Sequence, residues 1–265
     1  MQNSNRFSFG KNWQSYSRTV LTEERIARAR KDFYRLMPES GVEGLRFLDI
    51  GFGQGLALCL AAEGGAEAIG VDVDKDNIKA FEETYRHFNA FPKPTVKIGS
   101  ILDAQLVQEL KDSGPFDIVY SWGVLHHTGS LWKAIRYAAE LTKDGGYLII
   151  SIYNKHWSSP AWAVVKWLFN RLPAFGQRWL ESMFIIPYYL RIYMLEKQRP
   201  GTMEARGMEI RHDLRDWLGG YPFEYASIDK VIEFVQQQGM AIEKVFPCTG
   251  LTGCNEFVFR KAKPV

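Results

Sequence analysis

The sequence is short of cysteine, of charge of one sign and of long apolar runs, and each shortage excludes a class of protein. Only Cys59, Cys248 and Cys254 occur among 265 residues; an odd number without a CxxC spacing supports neither a disulfide framework nor a zinc site. No metal is expected, and a reducing cytoplasm is the expected compartment. The 33 basic residues outnumber the 30 acidic ones by three, too few to neutralise a nucleic-acid backbone, so no nucleic-acid partner is expected. Charges or prolines interrupt every apolar stretch, including 161–195, before it reaches the roughly 20 residues that span a bilayer. Residues 1–18 lack the continuous apolar middle of a secretory signal.

What is present is a chain able to bury a core, with 46% hydrophobic and 14% aromatic residues and a length that suits one enlarged domain. Short apolar runs at 46–50, 68–71, 95–98, 116–120 and 147–152 are each followed by an amphipathic stretch, the alternation of βαβ units on a parallel sheet. Ile78, Phe81, Tyr85 and Phe88 recur at helical spacing after a candidate cap at Asp74. Thr22 with Glu23 and Glu24 marks the start of a helix running toward Met37. Ahead of it, Phe7, Phe9, Trp13 and Tyr16 show no clean period and read as an ordered arm. Beyond Tyr153 an aromatic and basic segment, broken by Pro160, Pro173, Pro187 and Pro200, fits two or three irregular helices. A Ser227-capped helix and two strands, 242–246 and 256–260, follow. The expected divisions are 1–40, an N-terminal arm and helix; 41–153, a binding core; 154–226, a helical substrate cover; and 227–265, the closing helix and strands of the core.

The residues richest in chemistry lie at strand ends. Leu48-Asp49-Ile50-Gly51-Phe52-Gly53-Gln54-Gly55 carries a strand into a glycine turn and then a helix. Glycine lets backbone approach a ligand closely, but a dinucleotide fingerprint would need a third glycine where Leu56 stands, which counts against NAD. Asp72 ends the next strand 23 positions after Asp49, where a carboxylate can accept both hydroxyls of a ribose. The third strand ends in Gly99-Ser100-Ile101-Leu102-Asp103 and the fourth in Ser121-Trp122-Gly123-Val124-Leu125-His126-His127.

Taken in sheet order, these four segments closely resemble the strand-end motifs of the class I S-adenosylmethionine-dependent methyltransferases. The resemblance implies an α/β, Rossmann-like fold: a seven-stranded, mostly parallel sheet with an antiparallel last strand, helices on both faces and a helical insertion after strand 5. It implies S-adenosyl-L-methionine as cofactor, with Asp49 toward the methionine ammonium, Asp72 at the ribose, and Ser100, Ile101 and Asp103 near the adenine. Gly51, Phe52, Gly53 and Gly55 would give close backbone contact, and Trp122 and Gly123 would lie beside the methionine portion. Val73, Ser121, His127 and, from the arm, Trp13 complete the expected cofactor set.

Methyl transfer from a sulfonium is an in-line displacement, so the enzyme must align the acceptor, exclude water and, for a hydroxyl, remove a proton. His212, oriented by Asp213 or Asp216, is the candidate base because imidazole titrates near neutrality. His126 and Tyr153 are further catalytic candidates. The alternatives are a solvated face of alternating charge for 211–216 and a structural bond at the sheet edge for the paired histidines. The expected function is methylation of a small-molecule acceptor, with oxygen slightly favoured. Trp157, Trp162, Trp167, Phe169, Trp179, Tyr188 and Tyr189 serve either as core or as an apolar pocket lining, and the interleaved Lys166, Arg171, Arg178 and Arg191 permit peripheral contact with an anionic membrane. Two further readings follow, a lipid or quinone-precursor methyltransferase at a membrane surface and a non-catalytic S-adenosylmethionine-binding module. The sequence leaves the oligomeric state open.

Overall fold

Seven strands form one sheet in a computed structural model that describes residues 9–88, 92–198, 210–248 and 253–263. They are β1 (Arg46–Ile50), β2 (Glu67–Asp72), β3 (Thr95–Ile98), β4 (Phe116–Trp122), β5 (Thr142–Tyr153), β6 (Met240–Phe246) and β7 (Cys254–Lys261). Their order is β3-β2-β1-β4-β5-β7-β6. The first five pair in parallel, and β7 runs antiparallel to both neighbours. This is the sheet the sequence motifs imply, including the reversed last strand.

Alternation along each strand sends neighbouring side chains to opposite faces. Phe257 and Phe259 therefore join Leu48, Ile50 and Ile150 in one apolar layer under α5 (Ala104–Asp112), α6 (Leu131–Leu141) and α10 (Ile228–Gln236). Val258 joins Phe47, Ile118 and Ile149 in the other, under α2 (Glu23–Leu36), α3 (Leu56–Glu63) and α4 (Asn77–Tyr85). Each fully buried side chain of this size contributes about 1.5–3 kcal/mol, which fixes the register and with it the strand tips. Thr22 caps α2 as expected, its hydroxyl accepting the N–H of Arg25 at 3.3 Å.

Several local expectations are corrected. The arm is a helix, α1 (Phe9–Thr19), because Trp13 and Tyr16 lie on one face and Tyr16 is buried against the second layer; Phe7 lies outside the described residues. Asp74 does not cap α4. Asp76 holds that position without a side-chain bond, while the Asp74 carboxylate accepts the N–H of Gly10 at 2.9 Å and of Asp76 at 3.0 Å. Phe81 and Phe88 are buried as their spacing requires, but Ile78 is exposed. Ser227 stands at the α10 N-terminus, yet its side chain makes no capping bond.

The segment after β5 forms α7 (Ser159–Phe169), α8 (Ala174–Gln198) and α9 (Ile210–Gly219), with Pro187 inside α8. Its aromatics are not mainly core. Phe169 is buried and Trp162 packs on Trp217 at 4.3 Å, but Trp157, Trp167 and Trp179 face solvent; the side chains of Tyr188, Tyr189 and Arg191 lie outside the described residues. Among the described residues, no helix is long and apolar enough to cross a membrane.

Candidate active site

The strand order reverses between β1 and β4, so their carboxyl ends open onto a crevice, the place where open α/β sheets bind ligands. Leaving β1, the chain must turn at once into α3. Gly51 makes that turn with φ 79°, donating its N–H to the Val71 carbonyl at 2.7 Å. A β-carbon at Gly51 would overlap Val124 of the neighbouring strand tip, so the residue type is dictated twice, by φ and by space. Gly53 follows with φ 54°, and the Trp13 indole nitrogen stands 3.4 Å from where its β-carbon would be. Phe52 is buried behind the turn. A chain of buried hydrogen bonds, Thr84 to Ser17 and Ser17 to Gln54, each 3.1 Å, fastens α1 to the same turn.

Two carboxylates flank it, both nearly inaccessible: Asp49 at 3% and Asp72 at 7% exposure. Asp72 accepts the N–H of Gly53 at 3.0 Å on one oxygen and that of Asp74 at 2.8 Å on the other. Burial raises its pKa, and those two N–H groups and the Asn77 side chain pull against the rise. Asp49 is held well above the usual carboxylate range, first by burial and then by the charge of Asp72. A cation placed between the two would relieve both effects.

The remaining positions of the expected cofactor set are spread along the same edge. Ser121 donates to the Ile50 carbonyl at 2.8 Å and ties β4 to β1. Val73 is exposed just beyond β2, and Ile101 is buried. Ser100 accepts the Leu102 N–H at 3.1 Å, and Asp103 accepts that of Gln105 at 3.0 Å as the cap of α5. Gly123 turns at φ 75° with open space around it.

Beyond Gly123 a short 3-10 turn, Leu125–His127, brings the histidines against the tip of β5. His126 is fully buried, and its Nδ1 accepts the Tyr153 N–H at 3.3 Å. His127 Nδ1 lies 2.7 Å from the Pro222 carbonyl. A carbonyl only accepts, so this nitrogen carries the proton and Nε2 is the lone-pair nitrogen of the neutral ring. Burial, then the charges of His127 and Lys166, hold the His126 pKa well below its ordinary value, and burial followed by Lys166 takes His127 down to about 3. Both rings are therefore neutral at ordinary pH.

Lys166 departs from its expected place. The sequence puts it among surface cations, but it is fully buried; its ammonium bonds the Trp217 carbonyl and lies 5.4, 4.9 and 5.0 Å from the ring centroids of Tyr153, Trp217 and Phe223. Its spacing of four from Trp162 on α7 is the available signal, since both occupy the inward face. Tyr153 completes the cluster, 4.0 Å from His126 and 4.9 Å from Phe223. His212 and Asp213 lie on α9, but their side chains, like those of Arg211 and Asp216, fall outside the described residues. Among the described residues no group of three or more acids, histidines and cysteines could hold a metal.

The sheet order and paired strand-tip acids define a Rossmann-like fold of the class I S-adenosylmethionine-dependent methyltransferases. The family model described as a methyltransferase domain matches residues 21–186, more than half of the chain, and the chain belongs to that family. The ubiquinone biosynthesis O-methyltransferase of Bradyrhizobium sp. (strain ORS 278) is 29% identical over 182 residues, 67% of each chain. The protein of the same name from Cereibacter sphaeroides is 31% identical over 198 residues, 71% of this chain and 72% of that one; other curated relatives are matched over 54–58% of their length. Among solved structures, the magnesium protoporphyrin IX methyltransferase from Synechocystis PCC 6803 with bound SAH gives a TM-score of 0.57 at 15% identity, covering 95% of this chain and 94% of that chain.

Proposed function

We propose that this chain transfers the methyl group of S-adenosylmethionine to a hydroxyl oxygen of a small molecule that enters between the β4 and β5 tips and the cover formed by α7 to α9. The observation that carries the reading is the pair of buried acids around a turn stripped of side chains. Asp72, already aimed by Gly53, has lone pairs left for the two ribose hydroxyls, and Asp49 suits the methionine ammonium because a cation lowers its raised pKa. Gly51, Phe52, Gly53 and Gly55 leave backbone bare for the amino acid portion, with Trp13 closing from α1. Ser100, Ile101 and Asp103 border the adenine, Val73 the ribose, and Ser121, Trp122, Gly123 and His127 the methionine end. The cofactor supplies an electrophilic methyl on a sulfonium.

The chain's own contribution is alignment and exclusion of water. Tyr153 and Phe223, backed by the buried neutral ring of His126, form an aromatic wall against which an acceptor ring can lie, and His212 with Asp213 on α9 is the proposed base. The relatives named as ubiquinone biosynthesis O-methyltransferases favour oxygen over nitrogen or carbon. Incubation with S-adenosylmethionine labelled in its methyl group, with dihydroxybenzoates or a native small-molecule extract, should place the label in a methoxy product seen by mass spectrometry. Absence of turnover with retained cofactor binding would establish a non-catalytic binding module, and label in protein or RNA would reverse the substrate class.

A second reading concerns where the acceptor comes from. Trp157, just before α7, and Phe175, Trp179, Ile186, Leu190 and Tyr193 of α8 are all exposed. With the buried Lys166 set aside, residues 154–198 hold five basic and two acidic side chains, so this short segment alone carries an excess equal to the +3 of the entire chain. Exposed tryptophan beside excess positive charge is the composition of a surface lying on an anionic bilayer, which suits a quinone precursor with an apolar tail, reached from the cytoplasmic side. Co-sedimentation with phosphatidylglycerol vesicles at low salt tests this; a protein that stays in the supernatant removes it.

A further inference from the structure

One rung of the sheet crosses four strands from the last residue of β4. Trp122 on β4 pairs with Ser151 on β5, Ser151 with Glu256 on β7, and Glu256 with Phe246 on β6. Residues paired across a ladder point to the same face, with neighbouring strands about 4.8 Å apart. The indole of Trp122 therefore has to cross the small Ser151 to reach Glu256, and it does so: its Nε1–H donates to Glu256 Oε1 at 2.7 Å. Ser151 is buried, and its hydroxyl has no hydrogen-bond partner. That is the expected cost of a side chain chosen for smallness beneath a ring.

The other carboxylate oxygen of Glu256 accepts from Arg35 of α2 at 2.7 Å, and the same guanidinium nitrogen also donates to Asp32 at 2.7 Å. Arg35 lies 4.3 Å from the Phe246 centroid. Glu256 is itself buried. A carboxylate taken out of water at the end of an edge pair is costly unless paired, and here both its oxygens are engaged in charge-assisted or short hydrogen bonds. A strand that needed only to close the sheet could carry an apolar residue at this position, as Val258 does two residues on, on the same face.

We propose that Glu256 is a positioning residue that holds the Trp122 indole across the acceptor mouth, with Arg35 as the strut that fixes Glu256. The inference rests on the methyltransferase reading for the purpose of the indole, but not for the existence of the clamp. Trp122 immediately precedes Gly123, the pivot of the β4 tip, so an indole fixed in plane sets one wall of the space through which an acceptor must align with the methyl group. In-line displacement tolerates little misplacement of that wall.

The test reads the indole directly. In a 15N-labelled protein, the Trp122 Nε1–H signal is identified by its loss in Trp122→Phe, and S-adenosylhomocysteine is the probe. In the unaltered protein this signal should lie downfield, as expected for a donor to a carboxylate, and should move when the probe is added. Glu256→Ala should bring it to the solvent-exposed position and abolish its response, while calorimetric affinity for the probe changes by less than about threefold. Glu256→Gln, which keeps a carbonyl oxygen for the indole, should restore both, and Arg35→Met should give a broadened signal between the two. A signal and probe response unchanged in Glu256→Ala would overturn the proposal, as would a Gln variant no better than Ala. If the unaltered protein binds no probe, the functional reading fails, while the shift of the signal between the unaltered protein and Glu256→Ala still decides the clamp.

Discussion

The glycine turn and the helical cover are built on opposite terms. At the turn, polar groups are locked to backbone: Asp72 holds Gly53 and Asp74, Gly51 holds Val71, and Ser121 holds Ile50. On the cover, large apolar side chains stand in water, Trp157 at 84% and Trp179 at 63% exposure, and the small buried centre around Phe169, Leu214 and Leu218 holds its helices together. In the proposed reading, the turn takes one ligand common to a whole family of reactions. The cover, proposed to admit the acceptor, is held by packing that constrains far fewer of its residues.

That difference can be broken from the turn's side first. Gly51→Ala meets both the left-handed backbone penalty, about 1–2 kcal/mol, and overlap with Val124, about 1–3 kcal/mol. It should therefore lower stability by roughly 2–5 kcal/mol in denaturant unfolding, and a variant as stable as the parent would show that the turn is not rigid. Next in size, Asp72→Ala should weaken S-adenosylmethionine binding by about 1.5–3 kcal/mol, roughly 10- to 150-fold by calorimetry, with the circular dichroism spectrum unchanged. Unaltered affinity would remove the ribose assignment.

Asp49 makes the turn sensitive to pH. Its folded pKa lies above its ordinary 3.8, so the folded chain binds this proton more tightly than the unfolded one. The stabilisation is fully present below the unfolded pKa and is lost as pH rises through the folded one. Unfolding free energy measured without cofactor should accordingly fall with rising pH across that window, by up to about 1.4 kcal/mol per pH unit, and Asp49→Asn should flatten the slope. Cofactor binding should release the proton, visible as calorimetric heats that depend on the buffer's own ionisation; identical heats in all buffers within that window would contradict a protonated Asp49. The smallest effect belongs to the cover: Trp157→Ser and Trp179→Ser should change stability by no more than about 0.5 kcal/mol while reducing vesicle binding. A larger loss of stability would mean these rings are packed after all.

Legibility in the sequence follows the same division. β1 and β3 can be bounded to the residue because each runs into glycine at its tip, and the acids Asp49 and Asp72 are readable because strand, turn and helix are local. β5 begins at Thr142, five residues before its apolar run, since Gly145 and Gly146 hide the polar start. α1 escapes a reading by period although positions 9, 13 and 16 have helical spacing; Phe7 blurs the pattern. Lys166 looks like a surface cation because its partners, Trp217 and Phe223, belong to a different helix and turn. Glu256 is beyond reach for the same reason, with its indole partner 134 positions away and its arginine 221. No window of sequence contains such a pair.

The Gly53 N–H donates to Asp72, so the carboxylate's orientation is set by the fold itself. A side chain whose rotation is surrendered in folding costs a partner less entropy to engage, which is what the proposed ribose contact at Asp72 requires.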